Sequence, residues 1–250
     1  MAATVRSAII LAAGRGTRLA ERGTQTPKGF LRFGELPIVE ESLLALANAG
    51  IERVVIATGH LSEHYEELAK RHSGLVTCVH NPSYAESGSM YSLWCARAEL
   101  ERDFLLLESD LIYERRALAA LLADERPDLV LLSGPTAAGD EVFVETDGDH
   151  LVAMSKDRAA LQGSVAGELV GITKVSRDLF GVMCEYAADR FRETLHVDYE
   201  TDALVVAADR RPVPCLLVDG LLWAEIDDAA HLRRAATDVY PRIRARDDSV

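Results

Sequence analysis

The chain has 250 residues, 48% of them hydrophobic, and a formal net charge of −13. That is enough apolar material for a full α/β core, with no basic stripe to neutralise a nucleic-acid backbone. No apolar run nears the ~20 residues of a membrane span, no signal-peptide pattern opens the chain, and Cys78, Cys95, Cys184 and Cys215 lack metal-site spacing. Nucleic-acid, membrane and zinc classes are therefore set aside, and a reducing cytoplasm is expected.

The first predicted strand, residues 8–12, runs into Leu11-Ala12-Ala13-Gly14-Arg15-Gly16-Thr17-Arg18-Leu19, with Pro27-Lys28 following. Small residues let backbone N–H groups reach phosphate oxygens, and guanidinium groups add charge and forked hydrogen bonds. The segment lacks both the third glycine of a dinucleotide fingerprint and the Gly-Lys-Ser/Thr ending of a P-loop. On these residues alone it is either a phosphate cradle or a tight βα turn.

The first half then alternates. A helix is expected over 37–49 with Gly50 as its stop, a strand over 53–58, a helix from Ser62 as cap to about 71, and a strand over 75–79. An apolar helix follows the 81–89 loop, with Ser87 or Ser89 as cap. Strands over 104–107 and 129–132 flank a helix over 118–123. This rhythm implies right-handed crossovers and a mostly parallel sheet covered on both faces.

After Gly134 the rhythm changes. Segments 142–145 and 151–154 form a hairpin about Asp147-Gly148-Asp149. A strand is expected over 169–175, helices near 178–192 and 200–208, strands over 213–218 and 221–226 around Asp219-Gly220, and a last helix from about Asp228. Fraying is expected from about Ala245. The whole reads as one domain, with a nucleotide-binding half over about 1–134 and an acceptor-binding half with a small β-rich insertion over about 135–250.

Asp110 closes the run Phe-Leu-Leu-Leu-Glu-Ser-Asp. Ligands of open parallel sheets bind beyond the carboxyl ends of strands, and a carboxylate meeting phosphates there needs a cation such as Mg²⁺ between them. The alternative is a loop cap. Glu225 and Asp227 alternate along a strand end and so point to one face, although Asp227 could instead cap the last helix. Asn81 and the Ser87-Gly88-Ser89 backbone could read a base edge, or simply form a turn and a cap. Lys156 follows a hairpin strand, and 196–200 is either a solvated turn or an acceptor pocket.

Together these segments resemble the sugar-nucleotide-type nucleotidyltransferases: the 11–19 loop with Lys28, Asp110 after the fourth strand, and Trp223-x-Glu225-x-Asp227. Within that group the chain is similar to the small cytidylyltransferases acting on phosphonates or phosphocholine. The segments that carry this are Asn81-x-x-Tyr84, Tyr91-Ser92-Leu93, Glu108-Ser109-Asp110, Gly167-Glu168-x-x-Gly171-Ile172-x-Lys174 and Asp198-Tyr199-Glu200. It departs in the acidic loop 21–26 and in lacking a long C-terminal extension, both of which argue for a small acceptor.

The resemblance implies a Rossmann-like mixed sheet and transfer of CMP from CTP to a small phosphonate or phosphate monoester with release of pyrophosphate. Phosphocholine or sugar-1-phosphate transfer is the alternative enzyme, a nucleotide-binding sensor the non-enzymatic one, and a homodimer is possible. It implies that Leu11, Ala12, Ala13, Gly14, Arg15, Gly16 and Thr17 cradle phosphates. Arg18, Lys28 and Lys156 would carry the chemistry, and Asn81, Ser87, Gly88 and Ser89 would read cytosine. Asp110 with Glu225 or Asp227 would hold Mg²⁺, and Glu168, Asp198 and Tyr199 would line the acceptor site beside Lys156. Inward-facing Glu168 and Asp198 suit a cationic acceptor such as 2-aminoethylphosphonate. Inward-turned arginines such as Arg158 or Arg177 suit an anionic one such as phosphonoformate.

Overall fold

The computed structural model describes residues 5–19 and 25–249; residues 21–24 of the acidic loop lie outside them. Eleven strands are present among the described residues: β1 (Ser7–Ala12), β2 (Arg53–Thr58), β3 (Val76–His80), β4 (Phe104–Glu108), β5 (Leu111–Tyr113), β6 (Leu129–Ser133), β7 (Phe143–Asp147), β8 (His150–Ser155), β9 (Val165–Val175), β10 (Cys215–Val218) and β11 (Trp223–Glu225). The helices used below are α1 (Ile38–Asn48), α2 (Ser62–Arg71), α3 (Ser89–Cys95), α4 (Arg116–Ala123), α5 (Arg177–Arg190), α6 (Val205–Arg210), α7 (Ala229–Arg234) and α8 (Tyr240–Asp247).

The main sheet runs β10-β6-β9-β4-β1-β2-β3, with the β7–β8 hairpin attached to β9. β1, β2, β3 and β4 are mutually parallel, as are β6 and β10, while β9 runs antiparallel between β4 and β6. The expected mixed, mostly parallel sheet is therefore observed. Its central strands are apolar along their whole length because both faces are covered. Ile9, Leu11, Val55 and Leu106 pack on one side with α3 and α5. Ile10, Val54, Ile56, Leu105 and Leu107 pack on the other with α1, α2 and α4. Successive side chains along each strand thus feed opposite cores.

Several local expectations change. The strands expected over 213–218 and 221–226 are shorter, 215–218 and 223–225, and they belong to different sheets. β10 joins the main sheet beside β6, whereas β11 pairs antiparallel with β5, a three-residue strand too short to show a pattern. This small ribbon rests on a third cluster, Ile38, Ile112, Leu222, Ile226, Val239 and Ile243. Ser62 is the first residue of α2 rather than its cap, the preceding Leu61 being left-handed at φ 54°. The helix expected over 200–208 divides into a π-type turn, Tyr199–Leu204, and α6. No fraying sets in at Ala245: α8 continues to Asp247, whose carboxylate accepts the Arg115 N–H at 3.1 Å.

The loop before α3 packs tightly on the segment before α6. The cap of α3 is Gly88, not Ser87 or Ser89, and a Cβ there would lie 2.3 Å from the Val197 carbonyl oxygen. Backbone rather than a yielding side chain blocks that space, so Gly88→Ala should lower stability by about 1–3 kcal/mol. A shift in the urea midpoint checks this; an unchanged midpoint would contradict the packing.

Candidate active site

Beyond the carboxyl ends of β1 and β4 lies a cavity of about 420 Å³, within the range of small-molecule sites. Several segments distant in the chain build it. The loop after β1 supplies Gly14, Arg15, Gly16, Thr17 and Arg18. A single 3₁₀ turn, Lys28–Phe30, supplies Lys28; it lies so close to the end of β4 that a Cβ on Gly29 would sit 2.9 Å from the Tyr65 hydroxyl and 3.0 Å from the Ser109 carbonyl oxygen. The β5–β11 ribbon and its flanks supply Asp110, Glu225 and Asp227, and the β6–β7 connection, Lys156, Asp198, Glu200 and Arg234 complete the lining. Glu225 is paired with Leu111, and Ile226 N–H donates to the Asp110 carbonyl at 3.1 Å, which sets Asp110, Glu225 and Asp227 around one point.

Asp228, not Asp227, caps α7, accepting from Ala230 and His231 N–H at 2.7 and 2.9 Å. Asp227 is thereby left for the cavity. The Lys28 ammonium donates to Asp110 Oδ2 at 2.7 Å and to Asp227 Oδ1, and Arg18 faces Asp227 Oδ2 at 3.0 Å. Two further carboxylates complete the ring. Oxygens of Glu108, Asp110 and Glu225 lie within 4.8 Å of one another, and so do those of Asp140, Glu225 and Asp227. Hard carboxylate oxygens at this spacing are a donor set that fits Mg²⁺.

The crowding sets the protonation. Burial would lower the Lys28 ammonium, but Asp110 and Asp227 outweigh it and hold it above its ordinary range. Asp227 is lowered: burial pushes it up, and Lys28 and Arg18 more than reverse this. Glu225 has no such partner, and burial with Asp110 and Asp227 nearby pushes it up to about 8. Glu108 is raised by burial, Glu225 and Glu200, and Glu200 by burial and Asp198 to about 7.

Most of the expected residues meet here. Leu11, Ala12, Gly14, Arg15, Gly16, Thr17, Arg18, Lys28, Asp110, Lys156, Asp198, Glu225 and Asp227 all line the cavity, and Ala13 sits within the same loop. Others do not reach it. Asn81 is fully buried; its amide donates to Ser87 and Ser92 hydroxyls at 3.0 Å each, and its carbonyl accepts Ser83 N–H at 2.8 Å. Every polar atom of that side chain is engaged in shaping the loop, so it presents no edge to a base. Gly88 and Ser89 N–H likewise turn to Leu195 O and Asp198, and Ser87 is held by Asn81.

Glu168 is buried and accepts Thr136 N–H at 2.9 Å instead of facing the cavity. Tyr199 is buried in the core, where its hydroxyl adjoins Glu108. Arg158 stacks on Phe143 and Arg177 binds the Glu101 carbonyl, so neither turns inward. Sequence reasoning missed Asp140, Glu141, Arg234 and the role of Glu200. The left-handed Ala137 loop that carries Asp140 has no motif, whereas Glu200 could have been found by its place beside Asp198.

The MobA-like NTP transferase domain matches the chain over residues 8–244. The chain belongs to that family. Among curated relatives, the chain is 29% identical over 242 residues to the CMP-5'-(3-aminopropyl)phosphonate synthase of Streptomyces rubellomurinus, covering 91% of this chain and 38% of that protein. It is 29% identical over 203 residues to the 2-aminoethylphosphonate cytidylyltransferase of Lancefieldella rimae, covering 80% of this chain and 78% of that protein. The chain thus spans well under half of the first relative's length. Its fold is that of the inositol-1-phosphate CTP transferase from T. maritima, at 21% identity, a TM-score of 0.80 and 98% coverage of both chains.

Glu225 and Glu200 give the protein a defined pH signature. A carboxyl whose folded pKa is raised contributes stability below its unfolded value, about 4.3, that is lost as pH rises through the folded value. Here that window runs from about 4.5 to about 8. Lys28, raised, acts only at higher pH, and Asp227, lowered, only below about 4. The metal-free protein should melt at a lower temperature at pH 8.5 than at pH 5.5, and MgCl₂ should recover the loss at pH 8.5. Melting curves that ignore both pH and Mg²⁺ would contradict the assignment.

Proposed function

We propose that this NTP transferase moves CMP from CTP to a small phosphonate or phosphate monoester bearing a cationic group, with Mg²⁺, and releases pyrophosphate. The observation that carries the reading is the cavity itself. The 14–18 loop and Lys28 line it together with Asp198, Glu200 and Lys156, and the Lys156 charge acts on Glu200. The choice of CTP draws on the cytidylyl transfer named for the relatives. The choice of a cationic acceptor draws on Asp198 and Glu200 facing inward while Arg158 and Arg177 do not.

In the reaction an acceptor oxygen attacks the α-phosphorus in line. A new P–O bond forms, the bond from that phosphorus to the β-phosphate oxygen breaks, and pyrophosphate leaves with the electron pair. A phosphate-monoester acceptor is already largely ionised near neutral pH, its second pKa being about 6, so no strong base is required. The difficulty is repulsion between anions, and the remedy is positioning with charge neutralisation. Arg15, Arg18 and the loop amides hold the β- and γ-phosphates. Asp110, Glu225 and Asp227, with Glu108 and Asp140 adjoining, would hold Mg²⁺. Bound Mg²⁺ would neutralise phosphoryl charge and orient the leaving group. Lys28, which donates to Asp110 and Asp227 in this structure, would supply its ammonium to the α-phosphoryl oxygens. Lys156 binds the acceptor's phosphorus oxygens, and Asp198 with Glu200 receives its ammonium.

Incubation with CTP, Mg²⁺ and a panel of 2-aminoethylphosphonate, phosphocholine, a sugar 1-phosphate and phosphonoformate, followed by phosphorus NMR, tests the reading. A CMP adduct of an aminoalkyl acceptor is expected; no adduct from any acceptor, or one from phosphonoformate alone, would overturn it. Lys28→Ala should retain the fold and lower kcat by about 10²–10³, the loss typical of removing one donor to transition-state charge. Glu200→Gln should raise KM for the cationic acceptor and leave KM for CTP unchanged, which steady-state kinetics would check.

A further inference from the structure

Asp140 reaches the carboxylate ring from the nine-residue connection 134–142 between β6 and β7. Within that connection Glu141 accepts the Gly139 N–H at 3.0 Å, and Ala137 is left-handed at φ 53°, a conformation that costs a non-glycine residue about 1–2 kcal/mol. Side chains from outside hold it in place. Glu168 takes the Thr136 N–H. From α7, Arg234 donates to the Thr136 carbonyl at 3.2 Å, and His231, one turn earlier, meets the Ala138 carbonyl through Nε2 at 3.2 Å and Asp140 Oδ1 at 3.5 Å. Residues three apart on a helix share a face, so α7 grips the connection at two points.

His231 is buried but does not line the cavity. Facing a carbonyl, its Nε2 carries the proton in the neutral ring, and Nδ1 is left as an acceptor. Of the six buried side-chain polar atoms without a hydrogen-bond partner among the described residues, three lie at this junction: Thr136 Oγ1, Asp140 Oδ2 and His231 Nδ1. Asp140 Oδ2 thus has no partner, and one oxygen of the same carboxylate lies within 4.8 Å of oxygens of Glu225 and Asp227.

We propose that His231 is a positioning residue: through the Ala138 carbonyl and Asp140 Oδ1 it fixes the strained connection and so sets Asp140 in the cation-binding ring. The proposal rests on the divalent-cation reading of that ring and not on the choice of nucleotide or acceptor. Groups behind a metal ligand commonly change metal affinity 10–100-fold when removed. The geometry explains why here: without His231, Asp140 can leave the ring while Glu225 and Asp227, on β11 and its end, stay.

Direct Mn²⁺ binding, read by the loss of free-ion EPR signal without CTP, tests this separately from turnover. His231→Ala should weaken Mn²⁺ binding about tenfold, and His231→Gln, whose amide N–H can reach the same carbonyl, should restore most of it. In an Asp140→Asn background, His231→Ala should add no further loss, as expected for residues acting through one another. In the wild type, amides of 134–142 should exchange hydrogen more slowly when Mn²⁺ is added, a measurement that needs no variant to fold. Unchanged Mn²⁺ affinity in His231→Ala, equal losses in the Ala and Gln variants, additive losses with Asp140→Asn, or exchange indifferent to Mn²⁺ would each overturn the proposal. Weak Mn²⁺ binding with intact coupling would leave it standing even if no CMP adduct forms.

Discussion

The Lys28 ammonium, set between Asp110 and Asp227, is the contact on which the site depends. Five carboxylates form the ring within that cavity, and like charges this close raise each other's pKa or drive the chain apart. Breaking a buried pair by removing one partner leaves an uncompensated charge and is costly. Lys28 and Arg18 neutralise Asp227 and part of Asp110. Glu225 and Glu108 form no ion pair; burial first, and the neighbouring carboxylates second, hold both carboxyls above their ordinary range. The ring is one positive charge or more short of balance, which is the electrostatic condition for taking up a divalent cation.

Topology brings these groups together. Lys28 and Asp227 are 199 residues apart in the chain. The parallel order of β1, β2 and β4 sends the glycine-arginine loop and Asp110 to the same edge of the sheet. The β5–β11 ribbon then returns the far end of the chain to that edge, and its apolar cluster with α8 anchors it there. The helices covering the sheet carry little of the chemistry. They fix the register in which the strand ends meet.

Much of this was legible in the residues. Continuous apolar runs such as 8–12, 53–58 and 104–107 specify buried strands, and small residues, arginines and acids at their ends specify a charged ligand site. Glu225 and Asp227 were readable because strand alternation puts both on one face. Asp140 was not, because its position comes from a left-handed Ala137 and from contacts with α7, neither of which leaves a periodic pattern. Asn81 misled for a related reason: its residue type suits base reading, but its three hydrogen bonds to Ser83, Ser87 and Ser92 become visible only once the loop is folded. Strands on either side of Asp219-Gly220 were legible, but not their partners: β10 takes β6 and β11 takes β5, and a turn dipeptide does not choose between them.

The most direct test of the charge-exchange account is a crystal structure of the protein with Mg²⁺ and a non-hydrolysable CTP analogue. The account predicts the metal among Asp110, Glu225 and Asp227, with the Lys28 ammonium withdrawn from at least one of its two carboxylates and directed at phosphate oxygens. A complex in which Lys28 keeps both carboxylates while metal and nucleotide sit elsewhere would contradict it.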